Sequence, residues 1–485
     1  MPDNMKTKDP ESSDRPPSPP ASFRDATTDA VFGDITENGP NYRGLGWFAT
    51  TILMTKTMIG LGVLSIPAAF DVLGIIPGVL CLLAVATITI WSMFVVGSFK
   101  LNHPEVYAID DVGYKLFGVT GRVLFGTTFW IYWIFVSGSG LLSLSIALNA
   151  ISTHGTCTAV FVAVAAIITF CLTSIRTLAR ISWIAWVGLF SILGAIVTLT
   201  IAVGVQDRPA SAPQQGPWKT DYQLVKKPSF LEAVTAVSTM VFAYSGTSAF
   251  FAIVAEMREP RHYARSLTIC QSIVTGTYLS IGVVVYYYCG SFVASPALGS
   301  AGVLMKKVTY GLAIPGLLAS TVILCHVSLY LFEVSAFVKS YILYQVSSKY
   351  IFVRLLQGSH HLTANTFRHW ATWLGCTFGA TITAYIIASA IPVFNDLVSL
   401  VGALLGTMMS FQPMAFMWLY DNWRRSKGDR NAAWHFIVAW CIFVFLAGTF
   451  LMVAGTYGSV VQVANSYKLS GGTAAWSCAD NSNSV

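Results

Sequence analysis

A lysine and two glycines stand inside an apolar segment near the start of the chain. The segment Trp47–Phe70 contains the sequence TKTMIGLGVLSIP, in which Lys56 precedes Gly60 and Gly62 by about one turn. Each glycine inside a helix costs about 1 kcal/mol relative to alanine, and a charge at bilayer depth is a sign of function. Close helix packing explains small residues, but it does not explain the lysine. The pattern predicts a membrane helix that is interrupted near its middle and holds a ligand in the gap.

A second apolar segment carries the same kind of interruption. Residues 240–257 read MVFAYSGTSAFFAIVAEM, with Ser245, Gly246 and Thr247 near the middle and Glu256 close to the end. In the topology predicted below, this helix lies five spans after the first broken helix and runs in the opposite direction. Two broken helices related in this way are typical of transporters built from inverted repeats, which bind their substrate at the breaks.

The composition indicates a polytopic membrane protein. The 485 residues are 54% hydrophobic and 11% charged, with a mean hydropathy of +0.63, whereas soluble domains carry about 25% charged residues. The net charge of +7 does not call for nucleic acid, because Lys and Arg in loops orient membrane proteins. No Cys or His spacing indicates a metal site or another cofactor. No nucleophile–base pattern indicates an enzyme.

Hydropathy predicts eleven spans, and the charges in the loops orient them. In chain order they are Trp47–Phe70, Leu73–Ser98, Arg122–Ala150, Cys157–Ser174, Ile181–Val205, Leu231–Ala255, Ser266–Gly290, a long one that begins at Gly311, Trp370–Ile391, Asn395–Leu419 and Ala433–Thr456. With the N-terminus in the cytoplasm, the cytoplasmic segments hold about three times as many Lys and Arg as the other side.

The chain therefore divides into three parts. Residues 1–46 are rich in Pro, Ser and Asp and form a disordered cytoplasmic tail, residues 47–456 form the transmembrane domain, and residues 457–485 form an extracytoplasmic tail. Cys157 and Cys478 both fall on the extracytoplasmic side, where a disulfide could join them, although free thiols are the expectation.

Four long blocks follow one another in a recognisable order. They are MTKTMIGLGVLSIPAAFDVLG in the first span, FAYSGTSAFFAIVAEMREPRHYARSL in the sixth, SKYIFVRLL after the eighth and FNDLVSLVGALLGTMMSFQPMAFMWLYDNW in the tenth. From Gly39 to Trp434 the chain resembles the fungal neutral amino acid permeases of the methyltryptophan-resistance type, in the amino acid/auxin permease family of the APC superfamily. The resemblance implies an all-α LeuT-like fold of two inverted five-helix repeats, with discontinuous first and sixth spans and here an eleventh span.

The resemblance also implies secondary transport of amino acids and a substrate site at the two breaks. Carried over to this chain, that site consists of Ile59, Gly60, Leu61, Gly62 and Val63 in the first break and Tyr244, Ser245, Gly246 and Thr247 in the second. Amides at the start of a half-helix suit a carboxylate, and carbonyls at the end of the other half suit an ammonium. Tyr132, Trp133 and Ser137 of the third span are candidates for the pocket wall, although packing is the expected role of such residues.

Four residues are candidates for ion coupling. Sodium-coupled relatives carry a neutral polar residue where this chain has Lys56, so Lys56 resembles a built-in cation and favours proton coupling or ion-independent exchange. Glu256 is a second candidate, although its surroundings also fit an ion-pair gate. Ser320 and Thr321 are candidates for the cation side of the eighth span, whereas Asp396 in the tenth could simply cap a helix.

The eighth span departs from the family pattern. The residues from Val327 to Gln345 interrupt a block that otherwise runs directly into SKYIFVRLL. The codons at their borders are compatible with splice sites. These residues are therefore either the translation of a retained intron or a genuine insertion, and both interpretations stay open.

The resulting hypothesis is a plasma-membrane permease that imports neutral, aliphatic and aromatic, amino acids together with protons across the lipid bilayer. The alternatives are a vacuolar exporter of the same fold, a channel and a nutrient-sensing receptor. Localisation of the protein distinguishes the vacuolar exporter from the plasma-membrane permease. Saturation of transport by substrate distinguishes a permease from a channel.

Overall fold

The computed structural model describes residues 27–29, 33–35, 45–174, 178–209, 211–213, 215–330, 367–391, 393–423, 430–469 and 476–482. In that part of the chain, ten helices are long and apolar enough to cross a membrane. The remaining predicted span, the fourth, is the apolar helix Thr158–Thr173 of 16 residues, just below the roughly 17 residues that a span needs. Residues 331–366 lie outside the described residues, and with them lies most of the segment 327–345.

The helices follow the predicted order of spans. They are α1 Trp47–Met58, α2 Ile66–Leu73, α3 Ile75–Asn102, α4 Ile109–Ser152, α5 Thr158–Thr173, α6 Leu178–Val205, α7 Phe230–Tyr244, α8 Phe250–Ala255, α9 Tyr263–Cys289, α10 Val303–Tyr330, α11 Phe367–Ala390, α12 Phe394–Val401, α13 Thr407–Ser410, α14 Gln412–Asn422, α15 Ala432–Phe450 and α16 Thr456–Leu469. Short 3₁₀ turns cover Gly62–Ser65, Ser245–Ala249, Pro260–His262, Gly290–Phe292 and Ala297–Ser300. Two π-helical turns, Gly402–Gly406 and Leu451–Gly455, interrupt the last two spans. Strands β1 Thr27–Asp29 and β2 Gly33–Ile35 pair antiparallel, with Thr27 opposite Ile35.

The third span begins as a separate short arm. At Gly118 the backbone of α4 takes φ +65° and ψ −149°, a left-handed conformation that glycine adopts most readily. In front of this bend, the carboxylate of Asp111 accepts hydrogen bonds from the amides of Tyr107 and Ala108 and from the guanidinium of Arg122. The span that follows the bend agrees with the predicted Arg122–Ala150.

The helices form a single bundle around two broken spans. The first span consists of α1 and α2, and the sixth consists of α7 and α8, so each is divided near its middle as predicted. Helix α2 packs against α7 and α9, α1 packs against α9, and α10 packs along α6 and α4. The broken spans therefore lie at the centre, where their unpaired backbone groups are shielded from lipid.

One face of the bundle joins the ends of the two broken spans. The Leu45 amide donates to the Glu256 carbonyl at 3.2 Å, and the Arg258 amide donates to the Leu45 carbonyl at 2.9 Å. The Ser266 hydroxyl donates to the Trp47 carbonyl at 2.8 Å. We call this side of the bundle the N-terminal face, because the chain enters the bundle here.

The opposite face carries a disulfide between Cys157 and Cys478. The expectation of free thiols was wrong for this pair, because the C-terminal segment folds back over the start of α5. There the Thr158 hydroxyl donates to the Ala479 carbonyl at 2.6 Å, and the Lys306 ammonium donates to the Ser482 carbonyl at 2.6 Å. Residues 476–482 are thereby fixed to α5 and α10.

Candidate functional site

The first break begins where α1 loses its helical geometry. Ile59 has φ −81° and ψ 89°, and its amide closes the helix with a 2.7 Å hydrogen bond to the Thr55 carbonyl. The chain resumes as the 3₁₀ turn Gly62–Ser65, in which the Ser65 hydroxyl donates to the Gly62 carbonyl at 2.7 Å. All five predicted site residues of this break, Ile59, Gly60, Leu61, Gly62 and Val63, are buried.

The second break is a 3₁₀ turn between α7 and α8. Tyr244 is the last residue of α7, and Ser245, Gly246 and Thr247 form the turn, all of them buried. The hydroxyls of Thr247 and Ser248 have no hydrogen-bond partner among the described residues. A buried polar group without a partner costs about 1–3 kcal/mol. Such groups in a broken helix are consistent with a site that a ligand completes.

The two breaks meet reciprocally. A Cβ atom placed on Gly62 would lie 2.4 Å from the Cα of Ala243, in the last turn of α7. A Cβ atom placed on Gly246 would lie 2.6 Å from the Sδ of Met58, in the last turn of α1. Each break therefore contacts the final turn of the other repeat's first half-helix. At Gly62 the neighbour is a backbone atom, so only glycine fits, whereas at Gly246 it is the end of the flexible Met58 side chain.

This arrangement places opposite partial charges close together. Helices α1 and α7 end at the breaks, so their last carbonyls carry partial negative charge. The turn at Gly62 leads into α2, whose first amides carry partial positive charge. Such a site can hold an ammonium and a carboxylate at the same time without any charged side chain.

Lys56 lies one turn before the first break and is only 2% exposed. Its ammonium donates to the Ser320 hydroxyl at 2.5 Å and to the Gly316 carbonyl at 3.3 Å, both on α10. Gly188 of α6 leaves room for it, because a Cβ there would lie 3.0 Å from the lysine Cε. The partners that the described residues give this ammonium are thus neutral oxygens on another span.

The remaining coupling candidates lie in different places. Ser320 contacts Lys56, whereas Thr321 donates to the Leu317 carbonyl at 2.9 Å and packs on the other side of α10 against Gly140 of α4. Glu256 follows α8 at the N-terminal face, one short helix away from the second break. The structure brings Lys56 and Ser320 together and does not bring Thr321 or Glu256 to them.

One of the three wall candidates reaches the breaks. The Tyr132 hydroxyl donates to the Ser245 carbonyl at 2.9 Å. The Ser137 hydroxyl donates to the Trp133 carbonyl within its own helix at 2.8 Å, and the Trp133 ring packs against those of Phe129 and Tyr132. Only Tyr132 among them contacts the backbone of a break in the structure.

Asp396 lies in the first turn of α12 and is buried. Its carboxylate accepts a hydrogen bond from the Gln462 side chain of α16 at 2.8 Å. Its interaction is thus with α16, which continues the eleventh span beyond the predicted end at Thr456, in addition to its place at a helix start.

Sequence reasoning missed two residues that contact the breaks. Tyr278 of α9 places its hydroxyl within hydrogen-bond distance of carbonyls in both α1 and α7. Gly406 lies so close to Ser245 that an added Cβ would stand 2.5 Å from its hydroxyl oxygen. The sequence offers one indication of the role of Tyr278, namely that a tyrosine lies in the middle of a span, where its hydroxyl needs a polar partner when buried.

Comparison with solved structures identifies the fold. The structure is similar to that of a Na⁺-coupled sialic acid symporter, with a TM-score of 0.51 and 13% identity over 88% of this chain and 91% of that one. The LeuT-like fold that the resemblance implied is confirmed, with its broken first and sixth spans.

Sequence comparison gives the family. Residues 43–461 match the family described as "Transmembrane amino acid transporter protein", and the chain belongs to that family. It is 33% identical to a "Transmembrane transporter" of Gibberella moniliformis over 92% of this chain and 90% of that protein. It is 32% identical to the "N amino acid transport system protein" of Neurospora crassa over 92% and 91% of the two chains.

Proposed function

We propose that the protein imports neutral amino acids, aliphatic and aromatic, together with protons across the plasma membrane. In this proposal the N-terminal face is cytoplasmic and the C-terminal segment is extracellular. The observation that carries the proposal is the reciprocal contact of the two breaks, Gly62 on Ala243 and Gly246 on Met58. The name of the Neurospora relative supports an amino acid as the substrate.

The chemistry of the breaks explains why a zwitterion is the substrate. Carbonyl ends of α1 and α7 attract the α-ammonium, and amides at the start of the second halves attract the carboxylate. Recognition through backbone groups is the same for every α-amino acid. The side chains of Met58, Tyr132 and Tyr278, which contact the breaks, are uncharged, and this favours a neutral substrate side chain.

Lys56 supports coupling to protons rather than to sodium. Its ammonium supplies, from the chain itself, the positive charge that a metal ion would bring to the carbonyl of Gly316 and the hydroxyl of Ser320. An ammonium can release and regain a proton during a transport cycle, whereas a bound metal ion cannot. A single lysine between the first and eighth spans can therefore supply a positive charge in one step of the cycle and release its proton in another.

The test is uptake of radiolabelled amino acids in a host without its own permeases, at several external pH values and with sodium or choline as the external cation. We expect saturable uptake of leucine and phenylalanine that rises as external pH falls and does not require sodium. Lys56→Ala should abolish uptake or remove its pH dependence. The exposed Lys227 offers a control, since Lys227→Ala makes the same change outside the bundle.

Several results would contradict the proposal. Uptake that requires sodium, or wild-type uptake and pH dependence in Lys56→Ala, would remove the lysine from the mechanism. Fluorescent tagging that places the protein in the vacuolar membrane would favour the alternative of a vacuolar exporter of the same fold.

A further inference from the structure

Tyr278 connects the two halves of the site through one hydroxyl group. It lies in α9 and is fully buried. Its hydroxyl oxygen is 2.7 Å from the carbonyl oxygen of Met58 and 2.9 Å from that of Ala243. Met58 ends α1 and Ala243 lies in the last turn of α7, so one side chain reaches the end of the first half-helix in both repeats.

The Tyr278 hydroxyl lies near two carbonyl acceptors but has only one hydrogen to donate. A tyrosine hydroxyl has a single hydrogen and can donate it fully to one carbonyl at a time. The Met58 carbonyl also accepts a bond from the Gly60 amide at 3.1 Å. The two helix ends therefore share one phenolic donor, and the carbonyl that the hydrogen leaves is an acceptor that can take a hydrogen from a substrate ammonium.

The ring of Tyr278 is held firmly enough for this task. It packs edge-on against the ring of Tyr244 with a centroid separation of 5.1 Å. The Tyr244 hydroxyl in turn donates to the Thr275 hydroxyl at 3.1 Å, one turn earlier on α9. Helix α9 thus contacts the second break at two successive turns and fixes the position of the phenol.

We infer that Tyr278 is a positioning residue for the α-ammonium of the substrate. Its hydroxyl holds the carbonyl ends of α1 and α7 at the spacing in which they accept the ammonium, and its hydrogen moves from one carbonyl to the other when the ammonium arrives. The inference rests on the proposed function and adds to it a residue outside the two breaks. It assigns Tyr278 to recognition of the amino group rather than of the side chain.

The experiment compares Tyr278→Phe with Tyr263→Phe. Tyr263 is a matched control because it lies in the same helix, is buried, and donates its hydroxyl to a backbone carbonyl, that of Met93, at 3.0 Å. Both variants remove one hydroxyl and keep the ring. The probes are radiolabelled leucine and, as competitor, its α-hydroxy acid analogue, which has a hydroxyl in place of the ammonium.

Tyr278→Phe should raise the KM for leucine about 2- to 12-fold, the effect of one hydrogen bond. It should lower the preference for leucine over the hydroxy acid by a similar factor, because the variant weakens binding of the α-ammonium, which only leucine carries. Tyr263→Phe should leave both quantities within a factor of two of the wild type. KM and the ratio of leucine to analogue affinity do not depend on the number of transporters in the membrane. They therefore test the inference even when a variant is less abundant than the wild type.

Three outcomes would overturn the inference. They are an unchanged KM and analogue preference in Tyr278→Phe, an equal change in Tyr263→Phe, and a rise in KM with an unaltered analogue preference. When uptake by Tyr278→Phe is too low to measure, thermal stabilisation of the purified protein by leucine and by the hydroxy acid gives the same ratio. A failure of the proposed function is distinct from these results, because it would already appear as absent amino acid uptake in the wild type.

Discussion

Gly62→Ala is the substitution that tests the meeting of the two breaks most directly. Its methyl carbon would lie 2.4 Å from the Cα and 2.9 Å from the Cβ of Ala243. A backbone atom cannot rotate aside, so the turn Gly62–Ser65 and α7 must separate by several tenths of an ångström or more. Overpacking of this kind costs about 1–3 kcal/mol, which is about 5- to 150-fold in the population of the state in which the breaks meet.

Gly60→Ala is a graded comparison in the same break. Its methyl carbon would lie 3.1 Å from the Ser320 hydroxyl oxygen, and a hydroxyl can turn away at a smaller cost. Gly276 of α9 is the control, because nothing lies within 4 Å of an added Cβ there. We expect uptake per transporter to fall strongly in Gly62→Ala, moderately in Gly60→Ala and not at all in Gly276→Ala.

The assay is initial uptake of leucine, normalised to protein at the cell surface, together with the melting temperature of the purified variants. The double variant Gly62→Ala with Ala243→Gly should remain impaired, because the closest atom, the Cα of Ala243, persists in it. Wild-type uptake in Gly62→Ala would refute the reasoning, since it would show that the breaks need not touch during transport.

Two further predictions concern the face opposite the N-terminal face. Cys478→Ser should expose the thiol of Cys157 to a membrane-impermeant maleimide that does not label this position in the wild type before reduction; labelling without reduction in the wild type would contradict the disulfide. Asp71→Asn should change the free energy of unfolding by only about 0–1 kcal/mol, because its 2.6 Å pair with Lys226 is partly exposed. Burial acts to lower the pKa of Lys226, but the Asp71 carboxylate outweighs it and raises that pKa. A raised lysine pKa stabilises the fold fully below the ordinary lysine value and loses its effect only as pH rises above that value. The difference in melting temperature between variant and wild type should therefore be constant between pH 5 and 8, and a difference that changes within that range would contradict the assignment.

The breaks could be predicted because local sequence determines them. Gly60, Gly62 and Gly246 weaken the helix wherever they stand, and a charge such as Lys56 at mid-span needs a polar cavity. Both features are visible without knowledge of the neighbouring helices. The order of the spans followed from hydropathy in the same way.

The partners of the breaks could not be predicted, because they depend on helix rotation and on distant segments. Ser320 and Thr321 are neighbours in sequence, but successive residues on a helix point about 100° apart, so only Ser320 faces Lys56. Tyr278 carries no motif that distinguishes it from other buried tyrosines. The disulfide between Cys157 and Cys478 required the C-terminal segment to return across 321 residues of chain.

Ser320 lies between the lysine and the break of the first span. Its hydroxyl oxygen lies 2.5 Å from the Lys56 ammonium and would lie 3.1 Å from a Cβ on Gly60. The same hydroxyl also donates to the Gly316 carbonyl at 3.0 Å. One side of the first span thus faces α10 through the lysine, while the break at Gly62 faces α7. In the proposed function, a change in the charge of Lys56 would act first on Ser320, which adjoins Gly60, so proton coupling would reach the proposed substrate site through a single hydroxyl group.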